Sequence, residues 1–220
     1  MSARRIAAEA LATGFLVMAV VGSGIMADRL TPDTALALLA NTIATGAALY
    51  VLISVFGPVS GAQMNPVVTL VFALRGEIAP GLALAYMLAQ GAGGVAGTAL
   101  AHAMFELPLL QLSQTVRSGA GQGLAEAVAT FGLVLVVLGA LRGGAQVATV
   151  VACYITAAYW FTASTSFANP AVALARAFTD SFAGIRPADL PLFWAAQGAG
   201  ALLAAALAAW FWPRGAKSAG

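Results

Sequence analysis

Two Asn-Pro pairs, Asn65-Pro66 in "GAQMNPVVTL" and Asn169-Pro170 in "SFANPAVALAR", can end one backbone course and begin another while keeping polar atoms in an apolar chain. Proline fits the first turn of a helix at no hydrogen-bond cost, because the N–H it lacks would have no partner there. Pro66 and Pro170 are therefore expected to begin helices, with Asn65 and Asn169 capping them through their side-chain oxygens. Each amide nitrogen then remains free to donate, and an acceptor such as a water or hydroxyl oxygen would suit it. Asn-Pro also marks ordinary turns, but two copies at matched places in the chain speak against that reading.

Other reactive groups are scarce. His102 is the only histidine and Cys153 the only cysteine, so the chain offers no metal-ligand cluster, no intrachain disulfide and no nucleophile paired with a base. Neither an enzyme, a metal site nor a cofactor is expected. A net charge of +2 from ten basic and eight acidic residues provides no patch for nucleic acid.

The elements that must position the two pairs are membrane elements. The 220 residues are 61% hydrophobic and 8% charged, with a mean hydropathy of +0.91, as expected of a polytopic membrane protein and not of a soluble domain. Six apolar runs, at about 6–27, 34–56, 80–104, 121–141, 147–165 and 188–212, are candidates to span a bilayer. The first has the basic start of a signal peptide but is long enough to be retained as a helix.

The order of motifs repeats. "EALATGF" from Glu9 returns as "EAVATFG" from Glu126, "MNPVV" as "ANPAV", and "AQGAG" at 89–93 returns unchanged at 196–200. Three spans per copy is an odd number, so the repeats, approximately 1–110 and 118–213 of a single domain, are expected to be inverted. Arg4, Arg5, Arg75, Arg142, Arg214 and Lys217 would then face Arg29, Arg117, Arg176 and Arg186 across the membrane, a bias favouring cytoplasmic termini.

At about 1.5 Å per residue, helices from Pro66 to about Arg75 and from Pro170 to about Asp180 cross only about half of a ~30 Å hydrocarbon core. The approaches "FGPVSGAQM" and "TASTSFA" read as irregular backbone, tolerated at that depth where protein buries it or water bathes it. Inverted symmetry brings the two half-helices together by their positive N-terminal ends, disfavouring cations while leaving room for neutral hydroxylated solutes.

These features resemble the aquaporin, or major intrinsic protein, family over nearly the whole chain. "SGAQMNPVVTL" and "FANPAV" are similar to its two signature loops, here Asn65-Pro66-Val67 and Asn169-Pro170-Ala171, with Val67 where Ala is usual and Gln63 where His is common. Glu9, Glu126, Gln90 and Gln197 match its repeated polar positions. The resemblance implies an all-α membrane fold of six transmembrane helices and two re-entrant half-helices, in an inverted repeat that assembles as a homotetramer in the cell (inner) membrane. It also implies that Glu9 and Glu126 hold the pore loops. Gly93 with Gly97, and Gly200 with Ala204, have the spacing of close helix contacts.

The family's filter comprises four positions, one an Arg three residues after the second Asn. Carried over by spacing, they are Thr45, Ala157, Ser166 and Val172. Without the Arg or any ring, such a filter is wide. The resemblance then is to an unorthodox bacterial branch and implies passage of polyols such as glycerol, urea-sized solutes, metalloid hydroxides such as arsenous acid, and water. Arg176, four residues beyond Val172, either hangs over the outer mouth, where it could admit oxyanions such as arsenate, or pairs with Asp180 at i+4. His102 reads as an interfacial side chain, Cys153 as a small buried one, and Trp160, Trp194, Trp210 and Trp212 as interface or lipid-facing residues. A secondary transporter is the competing reading, since inverted repeats with broken helices occur there too.

Overall fold

The computed structural model describes residues 2–213, so Arg214 and Lys217, counted above for orientation, lie outside it. Among the described residues the chain is helical and without strands. Six long helices, α1 (Ser2–Leu30), α2 (Thr34–Ser60), α4 (Pro80–Met104), α5 (Ala120–Gly143), α6 (Val147–Phe161) and α8 (Leu190–Phe211), accompany two short ones, α3 (Pro66–Leu74) and α7 (Pro170–Arg176). A 3-10 turn, Pro187–Asp189, leads into α8.

Local chemistry sets the ends. Asp33 caps α2 by accepting from the N–H groups of Ala35 and Leu36 at 2.8 and 3.2 Å. Gly61 closes the same helix in the left-handed region at φ 95°. Because α2 continues to Ser60, residues 56–60 are its last turn; only 61–65 of that approach is irregular. The sequence underestimated the helix because Pro58 interrupts its pattern, and a proline so near a C-terminus removes only one bond.

Length and composition qualify α1, α2, α5 and the segment Pro187–Phe211 as membrane spans. The other two long helices differ for physical reasons. α4 buries Gln90, Thr98 and His102 together with Gly93, Gly94 and Gly97, so it is less apolar. α6 has only 15 residues because the chain leaves the helix at Thr162 to enter the irregular segment before Asn169.

α1 packs on α4 and α5 on α8, and the glycines decide how closely. A Cβ on Gly97 would collide with the carbonyl of Gly14, one on Gly93 with that of Ala10, and one on Gly200 with that of Ala127. Gly97→Ala is expected to cost about 1–3 kcal/mol, the usual penalty of overpacking. A thermal scan of detergent-solubilised protein checks this against Gly198→Ala, where an added Cβ meets nothing within 4 Å.

α3 touches α4 and also α8, and α7 touches α8 and also α4, so each short helix bridges between the α1–α4 and α5–α8 pairs. The segment joining α4 to α5 runs beside the chain that follows α7: Gln111 and Ser113 donate their N–H groups to Phe178 and Ala177 O, both at 3.0 Å.

Candidate functional site: a cavity around the paired asparagines

The irregular stretches before α3 and α7 have a backbone that sequence patterns do not announce. Ala62 and Met64 in one, and Thr165, Ser166 and Ala168 in the other, hold φ between 45° and 61°. Left-handed backbone at non-glycine residues costs of order 1–3 kcal/mol each and persists only where its surroundings enforce it. Two buried carboxylates supply that enforcement. Glu9 accepts from the N–H groups of Gln63 (3.0 Å) and Met64 (2.7 Å), from Ser60 Oγ (2.6 Å) and from Gln90 Nε2 (2.7 Å). Glu126 accepts from the N–H groups of Phe167 (2.9 Å) and Ala168 (2.8 Å) and from Gln197 Nε2 (2.6 Å). Both are wholly buried, and this saturation with donors is what makes a buried carboxylate tolerable.

The asparagines lock the two stretches together. Asn65 Oδ1 caps α3 at Val67 N (3.1 Å), and Asn169 Oδ1 caps α7 at Ala171 N (3.0 Å) and Val172 N (3.2 Å). Asn65 Nδ2 donates to Ala168 O and Asn169 Nδ2 to Met64 O, both at 2.7 Å. One N–H of each amide is thus committed to the opposite loop, which corrects the expectation that the whole amide is free. The second N–H of each remains, and both asparagines line a cavity of about 540 Å³.

That cavity has two kinds of wall. Apolar side chains such as Val20, Leu49, Val68, Leu133, Val137 and Ile155 line part of it; residues 61–65 with Ser166, Phe167 and Asn169 line another. Such a wall can accept both the carbon and the oxygen edges of a small solute.

A match to the family model described as "Major intrinsic protein" extends over residues 1–144. The chain belongs to the major intrinsic protein family. It is 62% identical over 208 residues to aquaglyceroporin AqpS of Rhizobium meliloti, covering 94% of this chain and 89% of that protein. A probable aquaporin TIP-type of Medicago truncatula is 37% identical over 136 residues, 59% of this chain and 54% of that protein. The fold matches that of the aquaglyceroporin from Plasmodium falciparum with a TM-score of 0.77 at 20% identity, covering 94% and 95% of the two chains.

In this major intrinsic protein, Thr45, Ser166 and Val172 line the cavity together, but Ala157 does not. Ala157 is exposed on the outer face of α6 with Cys153 and Trp160, and Tyr159 lines the cavity instead, following Ala148, Val151 and Ile155 along one helical stripe. Tyr159 Oη donates to Thr45 Oγ1 at 3.2 Å, so the inferred ring-free set acquires an aromatic neighbour. In so uniformly apolar a helix the spacing from Asn169 could not reveal which face turns inward.

Arg176 does not pair with Asp180. Asp180 accepts instead from Gln114 N (2.9 Å), and among the described residues the ion pairs are Arg75–Glu77 and Arg186–Asp189. Arg176 is buried and lines the cavity, its Nε donating to Ala183 O and its Cζ lying 3.4 Å from the centre of the Phe167 ring. Arg117, in the segment after α4, places its Cζ 4.9 Å from the same ring and donates to Gly184 O (2.7 Å) and Ser164 O (3.2 Å). Burial pulls the Arg117 guanidinium below its usual range, while the charge of Glu126 acts the other way.

Three further expectations change. His102 is fully buried, not interfacial, with ring nitrogens 3.0 Å from Leu109 O and 2.8 Å from Thr179 Oγ1. Cys153 is exposed, because α6 turns that face outward. Trp194 is more than a surface ring: its indole N–H donates to Pro170 O at 3.2 Å, tying α8 to the start of α7.

Proposed function

We propose that this protein is a passive channel for small neutral solutes, namely glycerol-like polyols, urea, metalloid hydroxides such as arsenous acid, and water. The single observation that carries the reading is the cavity running past both asparagines between an apolar wall and a polar loop wall. The name of the relative AqpS, an aquaglyceroporin, supports the solute class. Thr45, Ser166 and Val172 act as filter residues, Asn65 and Asn169 as the central donors, and Glu9 and Glu126 as the carboxylates that hold the pore loops. Val172, in place of a bulky cation, keeps that filter wide.

The inverted repeats 1–110 and 118–213 form this one domain. The paired carboxylate–loop and Asn–carbonyl contacts support that division. Assembly as a homotetramer in the inner membrane, with cytoplasmic termini, completes the reading. Arg75 and Arg142 share one small cleft with Trp212 near the end of α8, which supports placing them on the same side as the C-terminus. A coupled transporter fits less well, because Glu9 and Glu126 are already occupied by loop donors and have little capacity to carry a coupling ion.

Stopped-flow light scattering of proteoliposomes tests the reading. Glycerol, urea and arsenous acid are expected to enter without saturation and without dependence on a proton or sodium gradient. Passage of water alone would overturn the wide filter. A second reading, admission of oxyanions such as arsenate, is favoured by Arg176 lining the cavity without an ion-paired carboxylate, and an arsenate-uptake arm tests it.

A further inference from the structure

Among the described residues lining the cavity, Arg176 is the only charged one, and how it reaches the cavity is unusual. It sits four residues beyond Val172 on α7, on the same face and one turn farther from Asn169. A helical side chain leans back toward the N-terminus of its helix. Here that lean ends on the ring of Phe167, the residue next to Ser166 and within the loop before α7. The ring is itself fixed, edge-on against Phe193 at 5.1 Å, with its own backbone N–H held by Glu126. Nε is anchored on Ala183 O, beyond the end of α7, while the stacking on Phe167 holds the charge beside the loop residue next to Ser166.

Two observations show that this charge has work left to do. The Nη nitrogens of Arg176 have no hydrogen-bond partner among the described residues, and no carboxylate pairs with the guanidinium. Ser166 Oγ, in a residue only 3% exposed, is also without a partner, although it belongs to the cavity wall. A buried hydroxyl left unpartnered is costly unless something that passes through supplies the bond.

We propose that Arg176 is the charge-selecting residue of this pore and that, with Ser166, it forms a subsite that takes an oxygen of each passing hydroxylated solute while repelling cations and protons. Phe167 is its positioning residue. The proposal rests on the channel reading above and explains how a filter with Val172 excludes cations: the guanidinium arrives from one turn farther along the helix. Arg117, on the same ring, adds positive potential there, and Glu126 offsets part of it while engaged by the loop.

The test uses the full chain in proteoliposomes, with glycerol flux read by light scattering and proton flux by an entrapped pH dye under a potassium diffusion potential. Wild type is expected to pass glycerol with proton flux no greater than protein-free liposomes. Arg176→Gln is expected to raise proton flux roughly tenfold or more and to slow glycerol by roughly threefold, since the repelling charge is lost and the shorter, neutral amide is a weaker donor. Arg176→Lys is expected to restore proton exclusion, and Phe167→Leu to leak because the charge loses its platform. A merely structural role would lower glycerol flux without a proton leak. Proton flux in Arg176→Gln equal to wild type overturns the proposal. Should that variant fail to insert, Ser166→Ala decides: glycerol slowed relative to water supports the subsite, and an unchanged ratio overturns it. Absence of glycerol flux in wild type would sink the channel reading instead, and the proton comparison would still report on Arg176.

Discussion

Glu126→Ala is expected to abolish glycerol flux and to lower the unfolding temperature of the detergent-solubilised protein more than any other single change considered. Removing the carboxylate leaves the N–H groups of Phe167 and Ala168 and the amide of Gln197 without their acceptor. Each such loss costs about 1–3 kcal/mol in a buried site. The loss also releases the positive-φ backbone at Ser166 and Ala168, which has no intrinsic preference for its conformation. With Ala168 displaced, its carbonyl no longer receives Asn65 Nδ2, so damage spreads from one loop to the other. Glu126→Gln should fall between wild type and Glu126→Ala, because its carbonyl can accept one loop N–H while its amide nitrogen opposes another donor. Hydrogen exchange across residues 162–169 would show faster exchange in the Ala variant. Unchanged exchange together with unchanged flux would remove Glu126 from the role given to it.

Val172→Arg is expected to cut glycerol flux by roughly tenfold or more, equivalent to about 1.4 kcal/mol in the barrier. Val172 lines the cavity and is 5% exposed, so a larger side chain there must occupy pore space or displace its neighbours. It would also bring a second cation toward Arg176, one turn along the same face. Narrowing and charge repulsion can be separated. Val172→Met, which adds length without charge, should lose as much flux as Val172→Arg if narrowing alone operates, and less if the added charge contributes. Stopped-flow rates for glycerol and water in the three proteins give the answer, and undiminished glycerol flux in Val172→Arg would show that position 172 does not set the width.

What the sequence determined by itself was the set of elements and the chemistry at their junctions. Apolar runs of bilayer length, Pro at the first helical position with Asn before it, and motifs recurring in one order depend only on short-range stereochemistry and hydropathy, so helices α3 and α7 began where those rules require. Glu9 and Glu126 were recognisable because a carboxylate in so apolar a setting demands donors.

Tertiary structure alone decided which atoms those donors were and which side chains face the cavity. Loop N–H groups turned toward Glu9 by Ala62 and Met64 at positive φ leave no trace in residue type. Along α6 every face is apolar, so hydropathy could not distinguish Tyr159, turned inward, from Ala157, turned outward. Arg176 shows the same limit more sharply. An i+4 carboxylate at Asp180 made a local ion pair plausible, but α7 ends at Arg176, so the two residues do not share a helix face. The guanidinium instead found a ring in the preceding loop and a carbonyl beyond the helix. Local rules placed the charge near the pore; the backbone course after α7, which depends on the segment from Gln111 to Arg117 packed beside it, turned it inward.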